Sequence, residues 1–329
     1  RAREIHESLR DGVDPVAERQ RAREALRSAV SITFDEAART FLEGKRHEFR
    51  SRKHVLQWEN TLTTYASPLL GSMPVDRIEL PHVVQVLQPI WTEKTETASR
   101  LRGRIESVLD WAAVSGYRSS ENPARWKGNL EAVLPTPSKV RTVKHHKAVP
   151  WQEIPNLMAG LRKREGTSSL ALDFLILTAA RSGEVRQATW DEIDLEAGLW
   201  TVPGERIKSG RIHRVPLTAD ALVVLEAAPR FHGTDLIFPG PSGKAMTDQA
   251  LGKIIRKLGW DATIHGFRSS FKDWSRNATD YADEVSELAL AHVHDDATRA
   301  AYARDELLET RRALMEEWAR YCRGGAADE

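Results

Sequence analysis

The chain has 329 residues, 41% of them hydrophobic and 29% charged, with a net charge of +1. That is enough for two domains with separate cores. No apolar run approaches the roughly 18–20 residues of a membrane span, which argues against a membrane partner. The single cysteine, Cys322, excludes a disulfide framework and a multi-cysteine zinc site. With no secretory pattern at the start, the expected location is cytoplasmic.

Residues 1–30 predict a highly charged helical stretch in which Asp14 caps a helix opened by Pro15. Its apolar content is too low for a core, so it is expected to be the tail of a domain otherwise missing. Residues 31–134 are helical throughout. Thr33 caps a helix, and Trp58, Leu62, Tyr65 and Leu69 recur at helical spacing on one face. Pro81 opens a further helix, another runs from Ala98 to Ser115, and Asn122-Pro123 closes the module. The aromatic residues here are expected in the core. Residues 135–150 form a linker with two prolines and the basic residues Lys139, Arg141, Lys144 and Lys147. An extended strap is expected, either tracking a phosphate backbone or simply solvated.

The second domain, 151–329, opens with an amphipathic helix from Trp151 to Lys163 and a buried helix from Ser168 to Thr178 that runs into Arg181. A guanidinium there needs a partner, either Glu184 or a bound phosphate. Three short strands follow at Ile193–Leu195, Leu199–Val202 and Ile212–Leu217. The last two flank a polar, basic loop with Lys208 near its tip. A helix from Thr218, a basic helix from Thr247 to Leu258 and a closing amphipathic helix with Leu307, Leu314, Trp318 and Tyr321 complete the domain. The fold class is mainly α with a small antiparallel sheet.

Between these elements lies the segment that carries chemistry: His265-Gly266-Phe267-Arg268, then Leu290-Ala291-His292, then Tyr302 ten positions on. Two imidazoles, a guanidinium and a phenol, without paired carboxylates or cysteine ligands, suit phosphoryl transfer to a protein hydroxyl. Among the other tyrosines, Tyr281 sits beside acids that would repel phosphate, Tyr321 lies on an apolar face, and Tyr65 and Tyr117 belong to the first domain. His292 has an alternative as a packed helix residue. His294-Asp295-Asp296 reads as a turn rather than a metal site.

Arg181, Lys208, His265, Arg268, His292 and Tyr302, in that order, resemble the active-site set of the tyrosine recombinases, specifically the integrases of phages and genomic islands. The surrounding text carries the resemblance too: Thr178-Ala179-Ala180-Arg181-Ser182-Gly183-Glu184-Val185, Arg206-Ile207-Lys208 ahead of His213-Arg214-Val215-Pro216-Leu217, and the end from Ala301-Tyr302 through Trp318. The resemblance implies a helical core-binding domain (31–134), a basic linker (135–150) and a catalytic domain with a C-terminal tail helix (151–329), closing on DNA as a clamp. Residues 1–30 would then be the last helix of an arm-binding domain.

It also implies a mechanism. Tyr302 attacks the scissile phosphate to give a 3′-phosphotyrosine, Arg181 and Arg268 hold the non-bridging oxygens, and His292 donates one more hydrogen bond. His265 assists proton removal from Tyr302, and Lys208 protonates the 5′-oxygen. No cofactor or metal is required. The implied partners are double-stranded DNA at attachment sites, a homotetramer joined through the C-terminal helix, and a DNA-bending host factor or excisionase. A type IB topoisomerase and a non-catalytic DNA-binding relative are the alternatives.

Overall fold

A computed structural model describes residues 31–49, 52–119, 121–140, 147–207, 209–292 and 307–324. The chain divides into two compact units, Arg1–Lys144 and His145–Glu329.

The first unit is helical. Thr33 starts α1 (Phe34–Gly44) through a reciprocal cap: its hydroxyl accepts the Glu36 N–H, and the Glu36 carboxylate accepts the Thr33 N–H at 2.8 Å. α2 (Arg52–Thr61) runs into a π-turn over Leu62–Ala66 and a last turn at Ser67–Leu70. The π-turn shifts the phase of the expected apolar face. Leu62 and Leu70 are therefore buried, while Leu69, expected on that face, is 42% exposed. α3 (Leu80–Trp91) and α4 (Thr95–Val114) complete the bundle. Residues beyond Asn122-Pro123 still belong to this core, for Leu130 and Leu134 are buried and Trp126 stacks on Trp91 at 5.6 Å. Asn122 ties them down by donating to the Glu106 carbonyl and the Asp110 carboxylate. The linker is not wholly extended: Pro137–Val140 makes one helical turn, with proline at its first position where the missing N–H costs nothing. Residues 141–146 of the linker lie outside the described residues.

The second unit is built around α6 (Thr167–Thr178), which follows α5 (Ile154–Arg162). Nine of the twelve α6 residues are buried, as expected for a helix that is apolar all round. Then come α7 (Ser182–Arg186) and a three-stranded antiparallel sheet of β1 (Ile193–Asp194), β2 (Leu199–Val202) and β3 (His213–Pro216). The register pairs Trp200 with Val215 and Val202 with His213. Trp200 and Val202 face the core, consistent with the period of two along a strand. α8 (Ala219–Glu226), α9 (Asp248–Lys257), α10 (Gly266–Ala278), α11 (Asp283–Ala289) and α12 (Leu308–Cys322) follow.

In this chain the apolar face of the closing helix α12 is buried within its own unit. Trp318 is fully buried, donates its indole N–H to the Ile176 carbonyl at 2.8 Å and packs on Trp274 at 5.0 Å and Phe271 at 5.4 Å. This encloses the apolar body of the indole and satisfies its N–H. No helix among the described residues is long and apolar enough to cross a membrane.

Candidate active site

Of the six expected residues, Arg268 and His292 are joined by a hydrogen bond, and Arg181 bonds the Ala291 carbonyl next to His292. α6 ends at Ala179, whose φ of 49° turns the chain into the left-handed region and sends Arg181 back across the helix end. Arg181 then precedes α7. Its guanidinium donates to Glu184 Oε1 at 2.9 Å and to the Ala291 carbonyl at 3.2 Å, and its backbone N–H donates to Glu184 Oε2 at 2.9 Å. Glu184 is thus its partner, as one of the two expectations had it. About a quarter of the Arg181 side chain stays exposed.

Arg268 comes from the first turn of α10 and is buried. Nη1 donates to the Ala179 carbonyl at 2.7 Å, and Nη2 donates to the Leu290 carbonyl at 2.5 Å and approaches His292 Nε2 at 3.1 Å. Burial, helped by the nearby Arg181 charge, lowers its pKa from 12.5 to about 10, which leaves it a cation at neutral pH. Nε is buried with no hydrogen-bond partner among the described residues.

His292 is delivered by the end of α11. Ala291, with φ of 49°, is the left-handed residue of a Schellman turn: its N–H donates to the Leu288 carbonyl and the His292 N–H to the Glu287 carbonyl, at 3.0 and 2.9 Å. Ala179 and Ala291 are two of the three described non-glycine residues with positive φ. Each has its carbonyl held by a site arginine, and such backbone, costing on the order of 1 kcal/mol, persists only where its surroundings fix it.

His265 is exposed at the start of α10, one turn before Arg268. Lys208 and Tyr302 lie outside the described residues. The ends of the Lys208 loop are nonetheless set. Ile207 is buried, and Arg206 bonds the Gln187 carbonyl and the Glu192 carboxylate. A side chain on Gly204 would collide with the Gly210 carbonyl, so the two sides of this loop meet closely only because that position is glycine.

Three further residues shape the site and were not singled out from the sequence. Glu287 bonds His292 and is itself paired with Lys272. His213, at the start of β3, bonds the Ala289 carbonyl. Burial first, and then the Arg311 charge, hold its pKa down at about 3, so it is neutral. One signal was available: Lys272 lies four residues after Arg268, which puts two cations on one face of the helix next to Phe271.

The whole arrangement is a cationic corner with two guanidinium forks, one imidazole and a nearby hairpin. The chain matches the description "Phage integrase central domain" over residues 34–129 and "Phage integrase family" over residues 147–307. The chain belongs to the phage integrase family. It is a tyrosine-type site-specific recombinase; family membership does not favour the topoisomerase or the non-catalytic alternative. Among curated relatives, the integrase of Enterobacteria phage P4 is 28% identical over 97% of this chain and 75% of its own length. The prophage integrase IntZ of Escherichia coli K12 is 30% identical over 97% of this chain and 78% of its own. A solved lambda integrase tetramer bound to a Holliday junction shares the fold, with a TM-score of 0.65 at 15% identity over 90% of this chain and 89% of that one.

Proposed function

We propose that this integrase cleaves DNA at attachment sites with Tyr302 as the nucleophile, and that Arg181, Arg268 and His292 form the pocket for the scissile phosphate. The observation that carries this reading is the convergence of Arg268 and His292, 3.1 Å apart, beside Arg181. Two planar forks and an imidazole match the charge that gathers on the non-bridging oxygens as the phosphorus becomes five-coordinate. A bound phosphate would take donors now occupied by the Ala291 carbonyl and by His292, exchanging neutral acceptors for an anionic one.

His265 assists removal of the Tyr302 proton, and Lys208 protonates the departing 5′-oxygen. Attack of a 5′-hydroxyl from the partner duplex then reverses the chemistry and exchanges strands. In this scheme residues 31–134 are the core-binding domain, 151–329 the catalytic domain, and both touch double-stranded DNA. Assembly into a tetramer is supported by the lambda integrase tetramer of the same fold. The cytoplasm is the compartment in which the chain meets that DNA, and an excisionase or DNA-bending factor sets direction.

The test is a covalent trap. Protein is incubated with fragments of the host genome, tRNA-gene ends included, and denatured in detergent. Protein-linked DNA is expected with the parent chain and none with Tyr302→Phe. Equal adduct from both would remove Tyr302 as nucleophile.

A further inference from the structure

His292 is held at both ring nitrogens. Nδ1 lies 2.7 Å from Glu287 Oε2, and Nε2 lies 3.1 Å from Arg268 Nη2. An arginine can only donate and a carboxylate only accept, so Nδ1 carries the proton and Nε2 is a bare acceptor. In that state His292 cannot donate to a phosphate from Nε2.

We propose that Glu287 is a positioning residue for DNA cleavage: its carboxylate, clamped by Lys272, fixes the Nδ1–H of His292, so that Nε2 takes up a second proton from solvent when a phosphodiester draws Arg268 away. This rests on the phosphate-pocket reading of Arg181, Arg268 and His292. It adds the group that makes His292 a donor.

The geometry supports it at three levels. The Schellman turn at Ala291 folds His292 back onto the residue it must meet, since the His292 N–H bonds the Glu287 carbonyl while the ring bonds the Glu287 carboxylate. The second carboxylate oxygen, Oε1, is 2.6 Å from Lys272 Nζ, so the carboxylate cannot swing away. Lys272 is buried and further fixed by Ser286 Oγ at 2.7 Å and the Asp283 carboxylate at 2.9 Å.

The electrostatics explain why a switch is needed. Burial first and then the charges of Arg268 and Arg181 lower the His292 pKa, against the pull of Glu287. Burial works against the Glu287 charge as well, yet the hydrogen bonds from Lys272 and His292 outweigh it and keep Glu287 ionised. The charged and titratable groups facing this ring are therefore Glu287, Arg268 and Arg181, with Lys272 behind Glu287 and the neutral His213 beside the arginines. A phosphodiester adds one negative charge on the Nε2 side. With Glu287 on the other side, the imidazolium then lies between two anions.

The test uses the full chain and the genomic-fragment trap across pH. Cleavage by the parent should fall as pH rises through the His292 pKa of the DNA complex. Glu287→Gln keeps one side-chain acceptor for Nδ1–H, but it loses the charge and turns the oxygen that meets Lys272 into an NH2 donor. It should move that fall at least one pH unit lower and reduce adduct formation at pH 7.5 about tenfold, with DNA retention by gel shift unchanged. In a His292→Asn background the same substitution should have no effect. An unshifted pH profile, or an undiminished loss in the His292→Asn background, overturns the proposal. Independently, ring 15N spectra of the unliganded parent protein should show His292 as the Nδ1–H tautomer. The Nε2–H tautomer would overturn it even if no DNA were ever cut. Failure of the parent to form any adduct, with the Nδ1–H tautomer present, would instead count against the cleavage reading.

Discussion

Arg268→Ala separates folding from catalysis, because the structure sets opposing effects on stability. The guanidinium is buried, and its two donors satisfy the carbonyls of Ala179 and Leu290. Losing a donor to a buried carbonyl costs roughly 1–3 kcal/mol each, so two cost about 2–6 kcal/mol. Against this, the cation is itself strained by burial. The fall in its pKa from 12.5 to about 10 amounts to about 3 kcal/mol that alanine would release. The net change in folding stability should therefore stay within about 3 kcal/mol, a minor part of the 5–15 kcal/mol typical of a domain. Cleavage has no such offset. Loss of a preorganised donor to the transition-state oxygens should lower the single-turnover rate about 10²–10³-fold. Urea unfolding, gel shift at fixed salt, and the covalent trap at matched DNA occupancy measure the three quantities. Cleavage within tenfold of the parent would refute the phosphate role of Arg268, and a folding loss beyond about 3 kcal/mol would refute the offset from burial.

Two further predictions concern stability. His213 is neutral in the fold, with a pKa of about 3 against 6.5 when free. Below pH 6.5 the unfolded chain therefore takes up a proton that the fold refuses, and stability is lost as pH drops from about 6.5 toward 3. Between pH 7 and 4.5 this contributes about 2–3 kcal/mol to the loss, and urea unfolding of His213→Gln should show the pH dependence reduced by that amount. A side chain at Gly266 would overlap the Lys147 carbonyl and the Ala148 backbone, both on the strap that reaches α10. Gly266→Ala should displace that strap, which is otherwise tied by Thr263 N–H to the Lys147 carbonyl at 2.9 Å, and cost about 1–3 kcal/mol; an unfolding midpoint equal to the parent's would contradict the close approach.

The sequence alone determined the chemistry and most of the elements. Capping at Thr33, the apolar α6 and the three strands all depend on residues within a few positions of one another, and local rules suffice for those. Where a local irregularity intervened, period counting failed: the π-turn at Leu62–Ala66 put Leu69 in solvent, and Pro137–Val140 coiled instead of extending. Only the tertiary structure decided how the site is held. Arg181 meets the Ala291 carbonyl across 110 residues, Arg268 meets the Ala179 carbonyl across 89, and Trp318 meets the Ile176 carbonyl across 142. Such pairs leave no periodic trace, because each partner offers only a backbone oxygen that any residue could supply. The same holds for Glu287. Its spacing from His292 is ordinary, and its role became visible only when the left-handed turn at Ala291 folded the imidazole back onto a carboxylate already fixed by Lys272.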